Sequence, residues 1–327
     1  MGAGEPLLDK HIAPLVGDGG GGIVAGMLTS DLQMVHTYGP VPADGIFEIG
    51  SITKVLTAIL LAEMVERDEV AFGDPVARFL PADVRVPARD GRPITLLELA
   101  THCSGLPRLP PNLEETVADE SNPYAGYTVE HLYAGLAACD TAEEPGSYSN
   151  LGFGLLGHAL SLAGGRPFAD LVTGRVLAPL GMQETGTGFD APRASRRMQG
   201  YEDGQPTSHW DNPTLAGAGC FEAPVADLLR LARAVVEPAD TPLGRAIEAT
   251  LPAHVPVNDK MSVCLAWHTY VQDGRTVHWH NGGTGGFGSM LAIDRKARAA
   301  VAVLSNSSHV PALDSATMFA LLELVGS

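Results

Sequence analysis

The sequence predicts an α/β (α+β) fold: an antiparallel sheet built from both chain ends, flanked by helices and interrupted by an all-helical insertion. Three observations predict it. Strand-like apolar runs gather at the two ends of the chain, near 23–38 and 261–306. Between about 75 and 210, proline-rich loops alternate with helical pieces. One run, Val55 to Ala62, is apolar nearly all round, which marks a buried central helix. Strands at both ends with helices between imply one sheet shared by the termini. The division expected is therefore 1–75 with 210–327 as a discontinuous α/β domain, 76–209 as a mainly helical insertion, and a cleft between them.

The elements follow in order. Residues 6–16 carry Leu7, Leu8, Ile12 and Leu15 at helical spacing. The glycine cluster 17–22 is a flexible connector into "IVAGML" and "LQMVHTYG", two strands joined by the turn "TSD". "IFEIG" leads into the buried helix "SITKVLTAILLAEMVERDEV". Helical pieces are expected at 93–102, 128–138, 151–163 and 167–178, and another starts at Asp227. The strands "MSVCLAWHTYVQ", "RTVHWHN", "SMLAID" and "AAVAVLSN" follow, the last two a hairpin through "RKAR". An apolar helix over 312–325 closes the chain.

Composition narrows the function. The 327 residues are 45% hydrophobic and 18% charged, enough for a sizeable core. A formal charge of −17 disfavours nucleic-acid and anionic-membrane partners. The start lacks the basic and apolar regions of a secretory signal, and no apolar run is long enough to span a bilayer. "MGAGEP" lacks the hydroxyl residue of a myristoylation signal. Cys103, Cys139, Cys220 and Cys264 are far apart and read as reduced thiols. Together these features lead us to expect a cytoplasmic protein that acts on a small molecule. The oligomeric state is not legible.

Three short stretches carry chemistry. In "GSITK", Ser51 stands at the mouth of the core helix and Lys54 one turn on, on the same face. A capping serine and a solvated lysine are the plain alternatives. A buried helix and a chain with only four lysines, at 10, 54, 260 and 296, weigh against them. Burial shifts a lysine toward its neutral, proton-accepting form. In "EPGSYSNLGFGLLG", Ser149 or Asn150 caps the next helix and Tyr148 packs locally, or Tyr148 and Asn150 project into a cleft. A tyrosine near a lysine loses its proton more readily and serves as base or acid.

The third stretch is "TVHWHNGGTGGFG", 276–288. Alternation puts Thr276, His278 and His280 on one face and Val277 and Trp279 on the other. No third ligand lies near the histidines, so no metal is expected. "GTGGFG" fits a dinucleotide pattern formally, but a strand follows it where a helix is required. Glycines at a close backbone approach fit better, and no cofactor is expected.

In order and spacing, these three stretches resemble the penicillin-recognising serine enzymes, the serine β-lactamase and penicillin-binding-protein-like superfamily. The branch they look most like is the class C β-lactamase, esterase and D-peptidase group. "FEIGSITKVLTAILLAEMVERDEVAFGDPVARFLP", "LLELATHCSGLP", "YSNLGFGLLG", "LAWHTY" and "HNGGTGGFGSMLAIDRKARAAVAVLSN" extend the likeness over most of the chain. The resemblance implies Ser51 as acylated nucleophile, Lys54 in its activation, and Tyr148 as base and then acid toward the leaving group. Asn150 would position the substrate. His280, Asn281 and Gly282 would stand where the family carries Lys-Thr-Gly, and bind substrate. The N–H groups of Ser51 and Gly283 would form the oxyanion hole, each donor worth about 2.7–4 kcal/mol of barrier.

Histidine at 280 departs from the β-lactamase lysine and looks more like the esterases and peptidases. An ordinary histidine there would titrate between about pH 5 and 8 and carry that pH dependence into kcat/KM. No glutamate-bearing deacylating loop is present, which leaves deacylation to Tyr148 or to the substrate. The implied activity is a serine hydrolase for an ester or amide. Acyl transfer on the same scaffold, or a thioesterase-type cyclase in a small-molecule pathway, is the alternative. A silent penicillin sensor or scaffold is the third, opposed by the intact Ser51, Lys54 and Tyr148. An α/β-hydrolase is excluded, because no G-x-S-x-G occurs.

Overall fold

The structure, a computed structural model, describes residues 4–16, 21–308 and 310–326. Most of the glycine connector, residues 17–20, lies outside the described residues.

The first helix, α1 (Glu5–His11), leads to the hairpin β1 (Ile23–Leu28) and β2 (Gln33–Tyr38). The core helix α2 (Thr53–Glu66) comes next, then α3 (Asn150–Gly164) in the helical region and α4 (Val225–Val236) after it. The C-terminal part supplies β3 (Val255–Pro256), β4 (Met261–Val263), β5 (His268–Gln272), β6 (Arg275–Gly283), β7 (Gly288–Asp294) and β8 (Ala299–Ser305). The last helix is α5 (Val310–Gly326).

These strands form one antiparallel sheet in the order β2-β1-β8-β7-β6-β5-β4-β3. The N-terminal hairpin thus closes one side of a sheet built mostly from the C-terminal part, as the clustering of strands at both ends implies. β1, β7 and β8 are buried throughout, because both faces are covered. On one face Ala25, Met27, Met290, Val301 and Val303 pack with Leu8 of α1 and Leu313 and Leu321 of α5. On the other, Val24, Leu291, Ala302 and Leu304 join the larger core with α2 and α4. Val277 belongs to the first face and His278 and His280 to the second, in keeping with the alternation.

Every residue of α2 from Thr53 to Met64 is buried, which is why its sequence is apolar all round. Its two threonines at this end are tied to one loop. Thr57 Oγ1 donates to Gly217 O (2.8 Å), and Thr53 Oγ1 accepts from Phe221 N (3.2 Å).

Three expectations need correction. The insertion is not all helical: it also carries two short hairpins, Ala88–Arg89 with Arg92–Pro93 and Gly200–Glu202 with Gln205–Thr207. The helix expected from Asp227 starts at Val225, directly after Pro224. The strand expected over 261–272 is two strands. Cys264–Trp267 turns away, with Ala266 at φ +63° and its N–H on Ala100 O (2.9 Å). That break shapes the site, because His268 pairs with Trp279 and no strand continues past it. Among the described residues, no strand therefore pairs with β6 from His280 to Gly283 on that side.

Candidate active site

Ser51 lies in a 3₁₀ turn (Gly50–Ile52) that feeds α2, and it caps nothing. The tight turn sets residues three apart above one another, and Lys54 Nζ stands 3.0 Å from Ser51 Oγ. Lys54 is fully buried and also donates to Asn150 Oδ1 (2.8 Å) and Ala218 O (2.7 Å). Burial, with Arg108 nearby, holds its amine well below the ordinary lysine range. A neutral amine in contact with a hydroxyl is a proton acceptor.

The two readings of "YSN" both hold, on different residues. Ser149 is the cap of α3, its Oγ accepting from Gly152 N (2.9 Å) and donating to Pro107 O (2.7 Å). Asn150 is thereby free to reach Lys54. Tyr148 projects into the cleft that Ser51 also lines. Lys54 Nζ lies 4.8 Å from the centre of its ring, the Arg108 guanidinium 5.1 Å, and the His102 ring packs at 4.6 Å. The loop is laced to residues 102–108: Ser149 N donates to His102 Nδ1 (3.0 Å), Gly146 N to His102 O (2.8 Å) and Asn150 N to Arg108 O (2.9 Å). The expectation that lysine would ease the Tyr148 proton off is reversed. Burial raises the phenol above its ordinary value, and the Ser51 hydroxyl and the charge of Arg108 only offset part of that.

The strand wall comes very close to the serine turn. Gly50 has φ +48°, and a methyl group there would fall 2.7 Å from Gly283 N. One at Gly282 would fall 2.1 Å from Ile49 O and 2.9 Å from Ser51 N. Only glycine permits this approach. It brings the amides of Ser51 and Gly283 to one place. "GTGGFG" is the β6–β7 hairpin loop, with Gly283 opposite Gly288.

His280 stands elsewhere than expected. Its ring is fully buried, 5.5 Å from the His268 ring between centres, and His280 is not among the residues that line the cleft. Nδ1 is 2.6 Å from Asn281 O and Nε2 has no partner. Burial, then His268 and Lys54, holds it well below the usual histidine value. The cleft holds about 490 Å³ and is lined by Ser51, Arg108, Leu109, Tyr124, Tyr148, Asn150, Trp210, His268, Asn281, Gly282 and Gly283. Arg108, Tyr124, Trp210 and His268 are thus site residues that sequence reasoning missed. "LAWHTY" contains His268, but nothing in that string shows that the strand breaks before it.

Among the described residues, one group has metal-ligand geometry: Glu48, His209 and Glu222, with ligand atoms within 4.8 Å of one another. Arg197 already grips both oxygens of Glu222 (2.7 and 2.5 Å), and His209 Nδ1 and Trp210 N share Glu48 Oε1. The group ties the loop at 197–210 to the paired strands Phe47–Glu48 and Glu222–Ala223.

This fold, with a serine, amine and phenol converging under a strand edge, defines the class of serine β-lactamase and penicillin-binding-protein-like proteins. The beta-lactamase family profile matches residues 8–324, and the chain belongs to that family. It is 30% identical over 225 residues to the D-alanyl-D-alanine-carboxypeptidase/endopeptidase AmpH of Escherichia coli (strain K12). That alignment covers 65% of this chain and 57% of AmpH, so the chain spans little more than half the length of that relative. It is 27% identical over 307 residues to a beta-lactamase of Pseudomonas fluorescens, covering 83% of this chain and 82% of that one. In fold it is similar to the class C beta lactamase of Rhodobacter sphaeroides, with TM-score 0.81, 24% identity and coverage of 99% and 98% of the two chains.

Proposed function

We propose that the chain is a serine hydrolase that cleaves an ester or amide of a small molecule through an acyl-enzyme on Ser51. The observation that carries this reading is the 3.0 Å contact between Ser51 Oγ and a fully buried Lys54 amine. Neutral Lys54 takes the Ser51 proton, directly or through the Tyr148 hydroxyl, as Oγ bonds to the substrate carbonyl carbon. The oxyanion is received by the N–H groups of Ser51 and Gly283. Tyr148, which burial keeps protonated, gives its proton to the leaving atom as the scissile bond breaks, and recovers one from Lys54. Water then adds to the acyl carbon and passes a proton along the same route to Lys54, and that proton returns to Ser51 Oγ as the C–Oγ bond breaks, releasing acid and free Ser51. The names of AmpH and the P. fluorescens relative, a carboxypeptidase/endopeptidase and a beta-lactamase, agree with amide hydrolysis.

A second reading, acyl transfer to an amine or alcohol, draws on the cleft volume of about 490 Å³, which admits acceptors larger than water. Intact-mass spectrometry with a fluorophosphonate and a panel of esters, D-amino-acid amides, β-lactams and acyl thioesters, with and without added amine, tests both. One acyl group is expected on the wild type and none on Ser51→Ala. Labelling of Ser51→Ala at the wild-type rate would sink the assignment, and an acyl group that leaves only on an amine would favour transfer.

A further inference from the structure

Position 281 is where the implied Lys-Thr-Gly element carries its hydroxyl, and here it holds an amide with a carboxylate behind it. Asn281 lies at the end of β6 beyond its pairing with β5, opposite Met290 of β7 in register, and turns to the α5 face. Its Nδ2 donates to Asp314 Oδ2 of α5 at 2.6 Å. Charge fixes that orientation, because an ionised carboxylate only accepts and so must take the NH₂ end. Oδ1 of Asn281 is left as an acceptor without a partner among the described residues, on a residue that lines the cleft. Burial lifts the Asp314 carboxyl to about 6, so it is ionised at pH 7.5. The neighbouring ring on this wall, His280, is neutral.

Tyr148 lines the same cavity. Its ring centre stands 6.4 Å from that of His280, so a leaving atom that Tyr148 protonates lies beside this end of β6, next to Asn281. Arg108 is exposed over the Tyr148 ring, 5.1 Å from its centre, with no ion pair among the described residues.

We propose that Asn281, held by Asp314, forms a leaving-group subsite that accepts an N–H donor such as a carboxamide and disfavours a carboxylate at that position. The proposal rests on the acyl-enzyme reading above. A site with a fixed acceptor discriminates strongly against a group that cannot donate to it.

The test is a set of three phenylacetate esters of phenol, unsubstituted, meta-carboxamide and meta-carboxylate, assayed at pH 7.5. In the wild type, kcat/KM for the carboxamide ester should exceed that for the carboxylate ester about ten-fold or more. Asp314→Ala frees the amide to turn and should shrink that ratio at least about five-fold. Asp314→Asn, which still accepts from Nδ2, should keep more of it. Asn281→Thr, with a hydroxyl that donates as well as accepts, should shrink it too. A wild-type preference for the carboxylate ester would overturn the proposal and give the subsite to Arg108. A ratio unmoved by Asp314→Ala and Asn281→Thr would overturn it as well, even if all three esters slow together. If the unsubstituted ester acylates Ser51 and the ratio is flat, this inference alone falls. If no ester acylates Ser51, the acyl-enzyme reading falls and takes the subsite with it.

Discussion

Lys54 and His280 stand on facing walls of one site, and burial has opposite consequences for them. Both are fully enclosed, and both are pushed toward the neutral form by desolvation before any other cause. A lysine starts far above neutrality, so lowering it brings an amine into the range where it accepts a proton and returns it. A histidine starts near 6.5, so the same displacement removes it from acid–base work altogether. Their surroundings differ in the same sense. Lys54 has a polar partner at every position, its two N–H groups on Asn150 Oδ1 and Ala218 O and its lone pair toward Ser51 Oγ, whereas His280 has one short contact and an Nε2 without a partner among the described residues. One wall is arranged for proton transfer and the other for shape.

The largest expected effect lies on the lysine wall. Lys54→Met keeps the bulk and removes the base, and should slow acylation of Ser51 by about a thousand-fold, within the usual range for a lost general base. Lys54→Arg should not restore it, because a guanidinium stays charged and accepts no proton. The rate of fluorophosphonate labelling reads both variants. Acylation of Lys54→Met within about ten-fold of wild type would break the contrast between the walls.

Next comes stability in acid. His102, His268 and His280 all have pKa values lowered by burial, His268 to about 4. The unfolded chain protonates these rings below about 6.5 and the folded one does not. Their contribution is therefore complete above about 6.5 and is lost as pH falls toward the folded values. For His268 alone the loss reaches up to about 2 kcal/mol by pH 5. Asp314 opposes this over part of the range, because its raised pKa means that the folded state binds that proton first. Thermal unfolding between pH 7.5 and 4.5 should show Tm falling, and falling less in His268→Gln. An equal slope in that variant would show that His268 is not held neutral.

What the sequence made legible was local. The apolar ring of α2 announced its burial, and Ser51 and Lys54 are three residues apart on one turn, so their contact follows from helix geometry. Period two placed His280 on the right face of β6. The rest depends on chain segments far apart. "CLAW" is as apolar as its flanks, and only the bond from Ala266 N to Ala100 O shows why the strand turns away there. Asp314 reaches Asn281 because α5 packs across the sheet, a placement that no spacing in the sequence encodes. How deeply His280 is buried also depends on neighbours, His268 and Tyr148, that come from two other elements.

The smallest effect is the most direct test of the contrast, because it concerns where a pH limb lies. Protonation of Lys54 removes the base, so kcat/KM for a neutral ester should rise with pH as that amine deprotonates, at a value well below the ordinary lysine range. At the alkaline end, the raised phenol of Tyr148 delays any loss beyond the usual tyrosine value. His280→Asn removes the ring from behind His268, so some loss of rate through looser packing is expected. The position of the acid limb should move by less than about half a unit, because a ring that is neutral on both sides of the limb contributes no charge change. A profile from pH 5 to 10 measures this. A limb that shifts by a full unit or disappears in His280→Asn would make His280 the titrating group, and the two walls would then share the proton chemistry.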